Sequence, residues 1–165
     1  MTVRTCLRWP DLRLRKPAAE VPEITDEIRA LWDDMIDTMD AMPGVGLAAP
    51  QIGVLLRVAV VDASDTRDRR IRIANPVVLN ASAVMNHHEE ASPNLPGVSA
   101  RITRPRGVSV RFIDETGVYV RRDFVGLEAT SVQHQIDHLQ GKMYFDRLSK
   151  MKRDMLLRKA RKARA

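Results

Sequence analysis

Cysteine is nearly absent from this chain. Cys6 stands alone among 165 residues, so no disulfide can close within the chain. That suits a reducing compartment and leads to the expectation of a cytoplasmic protein. Cys6 itself reads as a small core residue. Aromatic side chains are scarce, with three Phe, two Trp and two Tyr, so Leu, Val, Ile, Met and Ala must fill the interior. No apolar run approaches the roughly 18 residues that span a bilayer, which excludes a membrane partner of that kind. The first residues, Met1 to Cys6, lack the apolar centre of a signal peptide, and export is not expected. Phosphate-cradling glycine loops are also missing: there is no G-x-G-x-x-G and no G-K-S/T. No internal repeat or low-complexity tract appears. What is present, 44% hydrophobic residues over this length, predicts one folded domain with a substantial core.

The net charge of +6 is unevenly placed. From Asp146 onward the chain carries nine cations against Asp146 and Asp154, so this tail holds +7 and the remainder −1. The basic character belongs to the tail, and it gives no argument for a nucleic-acid-binding fold as a whole. The expected division is a domain over residues 1–146 followed by a basic helix over residues 147–165.

Residues 26–42 predict a first helix. Ile28, Leu31, Trp32, Met35, Ile36 and Met39 make one stripe, Thr25 is a candidate cap, and Pro43 and Gly44 end the run. Residues 55–61 and 71–79 are β-branched and apolar and predict strands joined by the polar loop 62–70, with Pro76 marking an edge or a break. Residues 108–113 and 118–121 flank Asp114-Glu115-Thr116-Gly117, a hairpin signal. Residues 124–139 predict a helix stopped near Gly141. Residues 150–164 predict another, capped by Ser149, with Leu148, Met151 and Met155 on its buried stripe. A helix, short antiparallel strands and two further helices give an α+β fold and not a parallel βαβ sheet.

The helix over 124–139 carries the most informative pair. His134 and His138 lie four residues apart, one turn along the same face, a spacing that lets two neutral imidazoles chelate one divalent metal. Metal hydrolases of the H-E-x-x-H type place a general base directly after the first His. Here that residue is Gln135, whose carboxamide has no useful basicity near neutral pH.

Other segments join this pair in a recognisable order. The chain opens with Pro10-Asp11-Leu12-Arg13-Leu14-Arg15. It continues with Gly44-Val45-Gly46-Leu47-Ala48-Ala49-Pro50-Gln51, then Glu90-Ala91-Ser92-Pro93-Asn94, then Gln133-His134-Gln135-Ile136-Asp137-His138. In order and spacing these blocks resemble those of the bacterial peptide deformylase family: P-D-x-R-L-R, G-x-G-x-A-A-x-Q, E-G-C-L-S and Q-H-E-x-D-H. The resemblance covers nearly the whole chain. It implies that family's fold, with short antiparallel strands around a central metal-site helix, an N-terminal helix and a C-terminal helix. It also implies the family's place in translation: hydrolytic removal of formate from the N-formyl-methionyl end of new polypeptides, with a divalent metal (Fe2+, or Zn2+ or Ni2+ in vitro) as cofactor.

Carried over residue by residue, the metal ligands are His134, His138 and Ser92, the last standing at the family's cysteine. The reacting group falls to Gly46, Gln51, Pro93 and Gln135. Gln51 keeps the family's oxyanion donor, Gln135 replaces the glutamate that moves the proton, and Pro93 replaces a residue whose N–H serves the oxyanion. A hydroxyl is a weaker, normally protonated ligand. A lost base is typically worth about 10²–10⁴-fold, and a lost oxyanion donor about 10²–10³-fold. The site is therefore expected to be degenerate, with metal weakly held or absent. His87 and His88 are candidate replacement ligands, with a solvated polar loop as the alternative. Asp137 is expected to point away from the His face. Glu90 is expected either to be a remnant or to bond the Gly44-to-Gln51 segment. Val45, Leu127 and Thr130 would line the pocket for the first side chain of a peptide. Three functions follow: a deformylase relative with hydrolysis impaired or lost that still takes a formylated peptide N-terminus, a slow metallohydrolase with an altered site, or a binding module that contacts the ribosome or RNA through Arg153, Arg158, Lys159, Arg161 and Lys162.

Overall fold

The computed structural model describes residues 2–164. Met1 and Ala165, the outer ends of the two expected segments, lie outside the described residues. The order is α1 (Asp26–Ala41), β1 (Gly46–Ala48), β2 (Val58–Val61), β3 (Ile71–Ala81), β4 (Met85–Ser92), β5 (Leu95–Pro105), β6 (Gly107–Ile113), β7 (Tyr119–Val125), α2 (Gly126–Leu139) and α3 (Lys150–Arg164). Among the described residues the strands form an antiparallel sheet of order β1-β2-β3-β6-β7 and a separate β4-β5 hairpin. The α+β expectation holds, and no helix among the described residues is long and apolar enough to cross a membrane.

The first helix forms as its stripe predicts. Thr25 caps it by accepting from the Ile28 N–H at 3.3 Å, and Asp26 and Glu27 sit at its positive end. Its buried face packs on one side of the sheet, against Val58, Val60 and Ala74. The opposite face, through Ala59, Val61 and Ile73, packs against Ala129, Val132 and Ile136 of α2. Covering on both faces is why β2 reads as an unbroken apolar run instead of alternating. The sheet thus lies between the two helices, and α2 runs through the middle of the molecule, buried at every position from Ala129 to Leu139.

Three expectations need correction, and one pair of alternatives is decided. Residues 124 and 125 belong to β7; the helix begins at Gly126, whose φ of +68° suits glycine at the strand-to-helix corner. Of the two readings of Pro76, the break is the one found: β3 lies between β2 and β6, and its register shifts between Ala74 and Val77. The segment around His87 and His88 is not a loop but strand β4, which sequence patterning missed because Asn, His and Glu have low strand preference. On α3 the buried residues are Leu156 and Ala160, whereas Met151 is 74% exposed and Met155 60% exposed. Leu156 and Ala160 complete a third core cluster with Leu14, Leu95, Ile102, Met143 and Phe145.

Candidate functional site

α2 presents polar side chains in different directions from inside the protein. His134 and His138 meet with their Nε2 atoms 3.1 Å apart. Glu90 of β4 accepts from His134 Nδ1 at 2.8 Å, which fixes that ring and turns its Nε2 away from the carboxylate. Tyr144 stacks on the same ring, centroids 6.0 Å apart. His138 is buried, and its Nδ1 has no partner among the described residues. Burial above all, then the neighbouring His134 and Arg104, holds its pKa well below the ordinary histidine value, so the ring is neutral.

Glu90 is anchored by Arg104, which donates through Nε at 2.6 Å and Nη2 at 2.9 Å. Burial alone would raise the Glu90 carboxyl, but hydrogen bonds from His134 and Arg104 and the Arg104 charge outweigh it and bring its pKa down to about 2. Glu90 therefore bonds Arg104 and His134, and not the Gly44-to-Gln51 segment. Asp137 faces away from the imidazole pair, as its helical position predicts, and takes Arg104 Nη1 at 2.9 Å and Arg147 Nε at 2.7 Å. Arg104 is 1% exposed and bridges the two carboxylates.

The second block lies at the β4-β5 turn. Ser92 pairs with Leu95, leaving Pro93 and Asn94 as a two-residue connection. Asn94, which sequence reasoning passed over, is the hub of a buried polar knot. Its Oδ1 accepts from Gln51 Nε2 at 2.8 Å and from the Ser92 hydroxyl at 3.1 Å. Its Nδ2 donates to the carbonyls of Leu7 at 2.6 Å and Gln51 at 3.1 Å. Gln51 Nε2 also reaches Ser92 Oγ at 3.4 Å, and Gln51 Oε1 accepts from the Ala48 N–H at 2.9 Å. Both Gln51 and Ser92 are thereby committed inside the protein. The Ser-Pro-Asn run, a turn signal, was the clue in the sequence.

Beside this knot opens a cavity of about 360 Å³, lined among others by Val45, Gln51, Ser92, Leu127, Thr130 and Gln135. All three expected pocket residues border it; Thr130 is buried, and Val45 and Leu127 are partly open. Gly46 passes so close to α2 that an added Cβ would collide with the Gln135 amide nitrogen and the Ser131 hydroxyl. Pro93 lies on the rim and offers no N–H.

His87 and His88 do not join the imidazole pair. Their Nδ1 atoms bond Thr103 Oγ1 at 2.8 Å and Thr130 Oγ1 at 2.9 Å. Among the described residues no three His, Cys, Asp or Glu side chains gather where they would hold a metal ion. The donors at hand are two imidazole nitrogens and a hydroxyl already bonded to Asn94, a set that does not fit a tightly held divalent ion. On α3, Arg158, Lys159, Arg161 and Lys162 face solvent, and Arg153 lies 3.8 Å from Asp146.

The sequence pattern of the family described as polypeptide deformylase matches residues 3–154. Peptide deformylase 2 of Nitrosomonas europaea is 41% identical over 162 residues, 98% of this chain and 87% of that one. A protein named peptide deformylase-like from Bradyrhizobium diazoefficiens is 41% identical, over 98% of this chain and 95% of its own. The crystal structure of a peptide deformylase from Legionella pneumophila superposes with a TM-score of 0.91 at 39% identity, covering 99% of this chain and 96% of the other. One from Ehrlichia chaffeensis, in complex with actinonin, gives 0.92 at 34% identity, covering 99% and 98%.

Proposed function

The chain belongs to the polypeptide deformylase family, and from that premise we propose that it takes a peptide N-terminus into the cavity beside α2 while hydrolysing formyl groups feebly or not at all. The family is metal-dependent and acts on formylated nascent peptides. The observation that carries this reading is the closed Gln51–Ser92–Asn94 knot. The hydroxyl at the ligand position and the amide at the oxyanion position satisfy each other and Asn94, so neither is free for a metal or a developing anion. Pro93 adds no donor, and Gln135 cannot accept a proton and return it. What remains is binding: an apolar wall from Val45 and Leu127, and a cavity large enough for one side chain and its backbone.

The test is formate release from an N-formyl-methionyl tripeptide with Fe2+, Ni2+ or Co2+ added. The expected rate is at least about 10²-fold below that of a working deformylase, since one lost base or oxyanion donor typically costs that much. The triple change Ser92→Cys, Pro93→Leu and Gln135→Glu should raise it. Brisk turnover by the unaltered chain would refute the reading.

The exposed cations of α3 support a second contact. The helix is fastened by Leu156 and Ala160 and turns Arg158, Lys159 and Lys162 outward, a surface suited to an anionic partner such as the ribosome. Changing these three to Glu should abolish cosedimentation with ribosomes at low salt; unchanged cosedimentation would count against it. Removing the helix outright would also remove two core residues, so charge reversal is the cleaner perturbation.

A further inference from the structure

The cavity's hydrogen-bonding inventory is one-sided. Most side-chain donors on its wall are already engaged within the protein. Gln51 Nε2 serves Asn94 and Ser92, and the Ser92 hydroxyl serves Asn94. The Ser131 hydroxyl donates to the Val45 carbonyl at 2.9 Å, Thr130 is engaged with His88, and His134 Nδ1 with Glu90. Gln135 Nε2 reaches Ser131 Oγ at 3.5 Å; since the Ser131 proton goes to Val45, the nitrogen is the end that belongs there. Pro93, at the rim, has no N–H at all.

The acceptors are not balanced in the same way. Gln135 is 4% exposed, borders the cavity, and its Oε1 has no partner among the described residues. A buried acceptor left so is costly unless a ligand or water answers it. Glu89, also on the cavity wall, is exposed, and its carboxylate makes no hydrogen bond or ion pair among the described residues. No Lys or Arg borders the cavity, and the neighbouring Glu90 is already paired with Arg104, so Glu89 is the carboxylate left to act there.

Resting on the reading above that the cavity takes a peptide N-terminus, the geometry points to the chemical form it selects: the free, protonated α-amine, and not the formylated end. A formamide brings a carbonyl oxygen that needs a donor, and around the Ser92–Pro93 turn the donors are spent: Gln51 Nε2 and the Ser92 hydroxyl are bonded to each other and to Asn94, and Pro93 has no N–H. An α-ammonium brings three donors and a positive charge. It answers Gln135 Oε1 and the field of Glu89 together and needs no donor from the protein. The cavity is thereby matched to the end that formate removal leaves behind.

The experiment is calorimetric titration of the full chain, treated with chelator, at pH 7. The probes are the tripeptide Met-Ala-Ser as its free amine, its N-formyl and N-acetyl forms, and an analogue lacking the amino group. The free amine should bind at least tenfold more tightly than the other three. Glu89→Gln, at an exposed position, should weaken the free amine several-fold and leave the formyl peptide unchanged. Equal or tighter binding of the formyl peptide overturns this inference and leaves the peptide-site reading standing. If no form binds at millimolar concentration, the peptide-site reading falls and this inference with it.

Discussion

Arg104→Met is the substitution that most directly tests how the site is held. Arg104 is 1% exposed and bridges Glu90 and Asp137, at 2.6 Å from the one and 2.9 Å from the other. Removing one partner from a buried ion pair costs about 3–5 kcal/mol, because the remaining charge stays buried without compensation. Glu90 would keep His134, and Asp137 would keep the half-exposed Arg147, so the low end is expected, about 3 kcal/mol. With a urea dependence of about 2 kcal/mol per molar, the unfolding midpoint should fall by about 1.5 M. The deficit should also depend on pH. Burial, the largest influence on Glu90, raises its pKa and is opposed by His134 and Arg104. Without the guanidinium the folded carboxyl should titrate above its ordinary 4.5, so the variant takes up a proton on folding. That contribution is fully present below 4.5 and lost as pH rises through the raised value. The deficit should therefore be wide at pH 7 and narrower at pH 5, and adding Glu90→Gln should recover part of it at pH 7. A loss under about 1 kcal/mol, or one that neither acid nor Glu90→Gln relieves, would show that the bridge does not hold the site.

Three further outcomes are expected. In the unaltered chain the Glu90 pKa is lowered, so the stability it supplies is present above 4.5 and lost as pH falls from there toward about 2. That window is worth about 3 kcal/mol, read by urea unfolding at pH 7, 5 and 3, and a flat profile would contradict it. Gly46→Ala should cost about 1–3 kcal/mol by thermal unfolding, since the new methyl meets Gln135 and Ser131 and one side must shift; a neutral result would mean α2 yields easily. Leu156→Ala should cost about 2–4 kcal/mol and Met155→Ala under about 0.5 kcal/mol, in line with their opposite exposures. Equal effects would mean α3 is seated with its other face inward.

Several features were legible before any coordinates because they depend on neighbours along the chain. The α1 stripe, the Thr25 cap and the Asp114–Gly117 turn are set by helical period and local hydrogen bonding. The convergence of His134 and His138 is one helical turn, and the turning of Asp137 away from the imidazoles follows from the same geometry.

What the sequence by itself determined, then, is everything carried by local periodicity and by the order of its motif blocks: an α+β chain, a helix bearing two imidazoles on one side, a basic last helix, and the residue types at each matched position. Tertiary structure alone decided who answers whom. The polar strand β4 exists because β5 pairs with it, whatever its own preference. Arg104 is buried because two carboxylates distant in sequence meet it there. Gln51 and Ser92 are both bonded to Asn94, 43 residues from the first and two from the second. Hydrogen bonds and desolvation act through space between residues far apart in the chain, and no spacing rule along a single strand or helix encodes them.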